Sequence, residues 1–128
     1  MADDDFEDME LVETALSDVN PSVRLHKFSS GREALDFLAD QPSNKLPCLI
    51  ILDYNMPEIK GSELLSIMRK EERYNEIPKI VLSTSSAPIH IHECMSSGAT
   101  AYMVKPHSLS EMNKLAQKML SYCHPIGK

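Results

Sequence analysis

The sequence lacks a hydrophobic run of membrane-spanning length and opens with no signal-peptide pattern. Both absences point to a cytoplasmic protein with no membrane partner. Its three cysteines, Cys48, Cys94 and Cys123, are odd in number and lack metal-ligand spacing, so they are expected as reduced thiols. Residues 1–18 contain no Lys or Arg, and no basic face suited to nucleic acid is found elsewhere. Internal repeats, low-complexity tracts and linkers are also missing, which leaves no place for a second domain. A DNA-binding output domain is disfavoured on the same ground.

What is present reads as one domain, residues 1–128, of 14.4 kDa and long enough for a real core. The net charge of −6 is concentrated at one end: residues 1–18 hold eight acids, and the remainder is close to balance. Phe6, Met9, Val12, Leu16 and Val19 recur through that acidic block at helical spacing, so it is an amphipathic helix rather than an acidic tail. Asp5 is its N-cap and Asn20-Pro21 its end. Val23–Phe28 reads as a short strand. Ser30 with Glu33 has capping-box spacing and opens a second helix through Leu38. Leu49–Leu52 is four aliphatic residues in a row, a strand buried on both faces. Ser62 is expected to cap a third helix whose buried stripe is Leu64, Leu65, Ile67 and Met68. Lys79–Ser83 is a strand. Pro88 starts a fourth helix and Gly98 stops it. Thr100–Val104 is the last strand, and Ser108 with Glu111 opens a final helix to about Tyr122. The eight methionines sit mostly on apolar stripes and read as core filler. His124 falls in a tail expected to fray.

Strand and helix in alternation imply an α/β fold, a parallel sheet with helices on both faces. In such sheets the carboxyl ends of the strands share one edge, where ligands bind. Asp3 and Asp4, Asp53, Ser83 and Lys105 all fall at strand ends, so three carboxylates, a hydroxyl and an ammonium converge there. Three like charges need a cation among them, and hard carboxylate oxygens with a backbone carbonyl suit Mg²⁺. Asp53, which follows the central strand, is then free to act as a nucleophile toward phosphorus.

These residues carry a resemblance. The Asp3-Asp4 pair, Asp53 within Leu-Asp-Tyr-Asn-Met-Pro-Glu-Ile-Lys-Gly, Ser83 thirty residues later and Lys105-Pro106 twenty-two beyond that resemble the receiver domain of bacterial two-component response regulators. Leu82–Ser86 most resembles small stand-alone receivers, including those paired with phytochrome-type sensor kinases. The resemblance implies a flavodoxin-like, doubly wound sheet of strand order 2-1-3-4-5. It also implies that Asp53 accepts a phosphoryl group from a sensor histidine kinase or histidine phosphotransfer protein. Asp4, Asp53 and the Asn55 carbonyl would bind Mg²⁺, with Asp3 helping through water. Lys105 would pair with the phosphoryl group, and its bond to Pro106 is typically cis in the family. Ser83 stands at the switch hydroxyl and Tyr102 at the aromatic switch position. The face formed by the fourth helix, the last strand and the last helix would change shape for an unknown downstream protein. The chain would act as a monomer or weak homodimer.

One departure stands out. Only Met1 and Ala2 precede Asp3, where receivers have a strand of five or six residues, so the first strand is truncated or absent. A shortened start, direct pairing of the flanking strands, or strand addition from a neighbour would each account for it, and a truncated start is favoured. A non-phosphorylated pseudo-receiver scaffold is the alternative function. A turnover enzyme is not expected: the aspartate-nucleophile phosphatases of the haloacid dehalogenase type want an acid two residues after the nucleophile, where this chain has Asn55. His90 and His92 are two apart on a helix and do not chelate together.

Overall fold

The computed structural model describes residues 1–123. His124 and the four residues after it lie outside the described residues. Five helices flank the sheet: α1 (Phe6–Val19), α2 (Gly31–Asp40), α3 (Gly61–Arg69), α4 (Pro88–Ser97) and α5 (Leu109–Cys123). Three strands, β1 (Ile50–Leu52), β2 (Lys79–Ser83) and β3 (Ala101–Val104), pair in parallel in the order β1-β2-β3.

The sheet continues past β1 as a stub. Ala2 bridges Leu52 on one side and Phe28 on the other, both in parallel. Its N–H donates to the Ile51 carbonyl at 2.9 Å, and the Phe28 N–H donates to the Met1 carbonyl at 2.9 Å. The order is therefore that of a 2-1-3-4-5 receiver sheet with its first two positions each held by a single bridge. Direct pairing of the flanking segments does not occur, because Ala2 stands between them. The strand expected over Val23–Phe28 is a correction: only Phe28 forms a bridge, and the His26 carbonyl accepts from the Met1 amino group at 2.7 Å. A strand needs a partner ladder, and the neighbouring position is bridged only at Ala2. A cavity of about 380 Å³, lined among others by Met1, Leu25, Leu49, Ile51 and Leu120, lies along that track.

Strand residues alternate between two cores, as the pleat requires. Ile51, Ile80, Leu82 and Met103 face α1 and α5 together with Met9, Val12, Leu16, Met112 and Met119. Leu52, Tyr54 and Val81 face the other layer, with Leu38, Leu64, Leu65, Met68 and Cys94. Burying a Leu or Met side chain of this kind contributes about 1.5–3 kcal/mol. Seven of the eight methionines are buried, and Met95 on α4 is the exposed one.

Local signals mostly hold. Asp5 caps α1, its carboxylate accepting from the Asp8 N–H at 3.2 Å. Ser30 and Ser108 cap α2 and α5 by accepting from Glu33 and Glu111. Gly98 ends α4 at φ +116°, where a side chain would be strained. Ser62 does not cap α3: the cap position falls two residues earlier, at Lys60, with the Glu63 carboxylate accepting from the Lys60 N–H. Ile67, expected on the buried stripe, is exposed.

Two further expectations are corrected. Cys48 and Cys123 are joined by a disulfide, and Cys94 alone is free, buried on the inner face of α4. The two lie 75 residues apart in sequence, and folding brings the loop before β1 against the end of α5. The Lys105–Pro106 bond is trans, the isomer of lower energy for most X–Pro bonds. Among the described residues no helix is long and apolar enough to cross a membrane.

Candidate functional site: an acidic cluster at the carboxyl edge of the sheet

The site forms where the stub and the three strands run out. Ala2 sets Asp3 and Asp4 at the edge, and the Asp53 N–H donates back to the Ala2 carbonyl at 3.0 Å. That bond holds the two acidic segments side by side. Asp3, Asp4 and Asp53 each offer a carboxylate oxygen within 4.8 Å of the others. Asp3 and Asp53 are buried, and Asp4 is exposed toward solvent. Lys105, which follows β3, reaches into the same cluster. Its backbone N–H donates to the Ser83 carbonyl at 2.8 Å, which fixes the end of β2 against the end of β3.

The ammonium of Lys105 is not shared evenly. It sits 2.8 Å from Asp3 Oδ2 and 2.7 Å from Asp8 Oδ2, but 3.8 Å from Asp53 Oδ2. Asp8, in the first turn of α1, was missed in the sequence because it reads as one more acid of the helix N-terminus. Its offset of three residues from the Asp5 cap was the available signal: that spacing turns it to the face above the sheet edge.

Electrostatics follow from this geometry. Burial raises the Asp53 carboxyl to about 7, the neighbouring Asp3 charge adds to the rise, and Lys105 offsets part of it. Burial also raises the Asp3 carboxyl, against the lowering effect of its bonds to Lys105 and the Asp5 N–H. Burial alone would lower the Lys105 ammonium, but its bonds to Asp3 and Asp8 and the charge of Asp53 outweigh that and hold it above its ordinary value. The cluster therefore carries more negative charge than its single lysine neutralises. An all-oxygen donor set with surplus negative charge fits a hard divalent cation such as Mg²⁺.

The other expected residues lie around this centre. Ser83 is fully buried at the end of β2, its Oγ accepting from the Ser85 N–H at 3.2 Å. Asn55 is exposed in the loop leaving Asp53. That loop turns tightly: the Ile59 N–H donates to the Pro57 carbonyl at 2.8 Å across Glu58, which adopts φ +70°. Tyr102 is half-buried on β3, and its hydroxyl donates to the Ser85 carbonyl at 2.8 Å. The two imidazoles of α4 have separate neighbours, His90 Nδ1 meeting Ser85 and His92 Nε2 lying near Ser96.

Comparison with known proteins places this arrangement. The sequence pattern of the response regulator receiver domain matches residues 1–117. The two-component response regulator ARR17 of Arabidopsis thaliana is 34% identical over 127 residues, covering 93% of this chain and 82% of that protein. ORR5 of Oryza sativa, also a two-component response regulator, is 33% identical over 97 residues, covering 76% of this chain and 70% of that protein. Among solved structures, the phosphorylated cyanobacterial phytochrome response regulator RcpA superposes with a TM-score of 0.85 at 25% identity, over 99% of this chain and 93% of RcpA. The Mn²⁺-bound response regulator Rcp1 gives 0.79 at 25% identity, over 99% and 94%. The chemotaxis response regulator CheY4 of Vibrio cholerae gives 0.77 at 28% identity, over 92% and 93%. With an acidic triad, a lysine and a buried hydroxyl meeting at the carboxyl edge of a 2-1-3-4-5 sheet, the chain belongs to the response regulator receiver domain family of two-component signalling.

Proposed function

We propose that Asp53 is the phosphoacceptor of this receiver domain. It receives a phosphoryl group from a sensor histidine kinase or a histidine phosphotransfer protein in the cytoplasm. The observation that carries this reading is the placement of Asp53: a buried carboxylate at the strand edge, raised to about 7, with Lys105 Nζ 3.8 Å away and two further acids beside it. Asp3, Asp4 and Asp53 would hold Mg²⁺ together with the Asn55 carbonyl, and the cation supplies charge neutralisation as the phosphoryl oxygens arrive.

The chain's own residues do the rest. Asp53 is held by the Ala2 carbonyl at its N–H, so its carboxylate stays aimed at the edge. Lys105 has Asp53 at the limit of ion-pairing distance and needs only a small rotation to reach a group added there. Ser83 offers a hydroxyl at the end of the neighbouring strand, and Tyr102 of the last strand, paired with Val81, reaches the Ser85 carbonyl two residues beyond Ser83. These two are read as the switch that reshapes the surface of α4, β3 and α5. Val104 and Leu109, exposed on that surface, suit a protein partner. Chemistry is confined to the protein's own aspartate, with no turnover of free substrate. The complete acid triad favours this over a phosphorylation-silent scaffold.

The test is intact-mass spectrometry after incubation with acetyl phosphate and Mg²⁺. Wild type is expected to gain one phosphoryl group, and Asp53→Asn none. Equal labelling of both proteins refutes the assignment.

A further inference from the structure

Among the helices, α4 has the least apolar anchorage. Of its ten residues only Cys94 is buried, whereas α1 buries four and α3 five. Ile89 and Met95 point to solvent. Its position must therefore be set largely by polar ties: Arg69 donates to the Ser96 carbonyl at 3.0 Å at its C-terminal end, and the ties of its N-terminal half converge on one residue. Tyr54, which directly follows Asp53, is 3% exposed and reaches under α4. Its hydroxyl donates to Glu93 Oε2 at 2.8 Å, and the Ser62 hydroxyl donates to the same oxygen at 3.2 Å. Its ring stacks on His90, with centroids 4.4 Å apart and planes 22° from parallel.

His90 carries the connection onward. Its Nδ1 lies 2.6 Å from Ser85 Oγ, the Ser85 N–H donates to Ser83 Oγ, and the Ser85 carbonyl accepts from Tyr102. So α4 is fastened at one point to the residue beside Asp53 and at another to the loop after Ser83. Burial and the Glu93 carboxylate push the Tyr54 hydroxyl up to about 12, so it remains a donor at any physiological pH. A bond from a neutral hydroxyl to a carboxylate is among the stronger hydrogen bonds.

We propose that Tyr54 is a positioning residue: through Glu93 and His90 it ties α4 to the Asp53 loop, and a change at Asp53 reaches α4 through that tie as well as through Ser83. The tie itself is independent of the phosphotransfer reading, and only its trigger rests on that reading. A group added to Asp53 displaces the loop that begins at Tyr54. The aromatic ring then pulls on, or lets go of, a helix that little else holds.

Hydrogen–deuterium exchange read by mass spectrometry tests this on wild type, Tyr54→Phe and Glu93→Ala. Glu93 is only partly buried, so its truncation breaks the tie without opening the core. In unlabelled protein, residues 88–97 should exchange about ten-fold faster in both variants, with α1 and α5 unchanged. Wild type loaded by acetyl phosphate and Mg²⁺ should show a comparable release at α4, with less than a two-fold further change in the variants. Exchange at α4 within two-fold of wild type in Glu93→Ala overturns the tie, as does an equal acceleration of every helix. Phosphoryl uptake with no change at α4 overturns the link to Asp53. Absence of uptake by intact mass refutes the phosphotransfer reading instead, and the unlabelled comparison still decides the tie.

Discussion

Replacing Gly61 with alanine tests the architecture of the site at its tightest point. Gly61 opens α3, and its N–H donates to the Tyr54 carbonyl at 2.8 Å. A Cβ at this position would lie 2.5 Å from the Asp53 carbonyl oxygen and 3.0 Å from Tyr54 Cα, both backbone atoms. Restoring ordinary contact requires a shift of about 1 Å between the Asp53 loop and α3. The helix cannot easily supply it, because Leu64, Leu65 and Met68 are locked in the core. Overpacking of this kind costs about 1–3 kcal/mol, and the better helix propensity of alanine returns less than about 1 kcal/mol. A net loss of about 2 kcal/mol lowers the melting temperature by roughly 6 °C in a domain of this size. The functional loss should be larger, since a misplacement of about 1 Å at a reacting group can lower a rate on the order of a hundred-fold. Differential scanning calorimetry and the rate of acetyl phosphate labelling measure the two effects. A melting temperature within about 1 °C of wild type, with a labelling rate within about two-fold, would show that the loop is not held by this contact and refute the reasoning.

Five other outcomes follow from the same coordinates. The folded-state pKa of Asp53, about 7, lies above its unfolded value of 3.8, so its contribution is fully present below 3.8 and is lost as pH rises through 7. In EDTA, wild type should therefore lose stability between about pH 4 and 7 relative to Asp53→Asn and level off above that, and parallel melting curves across that range would contradict it. Adding Mg²⁺ at ten times its dissociation constant should return about 1.4 kcal/mol to wild type and little to the variant. Asp8→Asn releases one of the two short bonds of Lys105, so acetyl phosphate labelling should quicken several-fold; an unchanged rate would mean that the Asp8 bond does not restrain the lysine. Unreduced protein should show Cys94 as its one titratable thiol and only after denaturation, with three after reduction, and opening a loop of 75 residues should cost up to about 4 kcal/mol in stability. An apolar hexapeptide joined ahead of Ala2 should fill the cavity beside Leu49 and Ile51 and raise the melting temperature by several degrees, and an unchanged value would count against that packing.

The elements that could be read from the sequence are those whose signal is local. Asp5, Ser30 and Gly98 mark helix ends through bonds that span a few residues, and each does so in the structure. The acid triad and Lys105 were also legible, because parallel topology alone delivers every strand end to one edge. What could not be read depends on partners distant in the chain. Val23–Phe28 has the composition of a strand but lacks the ladder beside it. Cys48 and Cys123 show no spacing that announces a bridge, since only folding brings them together. Ser62 sits where a cap is expected, yet its hydroxyl is claimed by Glu93, thirty-one residues on. Tyr54 reads as one more apolar residue in a core loop, and nothing nearby in sequence identifies its bond to α4.

The position of Lys105 explains why such a site should wait for both a metal and a phosphoryl donor. One ammonium stands among Asp3, Asp8 and Asp53, with Asp4 close by, and it makes its two short contacts to Asp3 and Asp8. Asp53 is left as the buried acid with the least compensation, which is why its carboxyl titrates near neutrality. An acid in that condition is a poor nucleophile while protonated. A divalent cation held by Asp3, Asp4 and Asp53 would supply the missing positive charge and favour the ionised carboxylate, so metal binding is expected to be coupled to activation of Asp53. A phosphoryl group added to Asp53, as proposed above, would restore negative charge at the one place where Lys105 has a long contact to shorten. The lysine would gain by turning toward it, and the bonds it would give up are those that tie the first turn of α1 to the edge of the sheet. The charge arrangement of the unmodified protein thus already contains the direction in which the site moves.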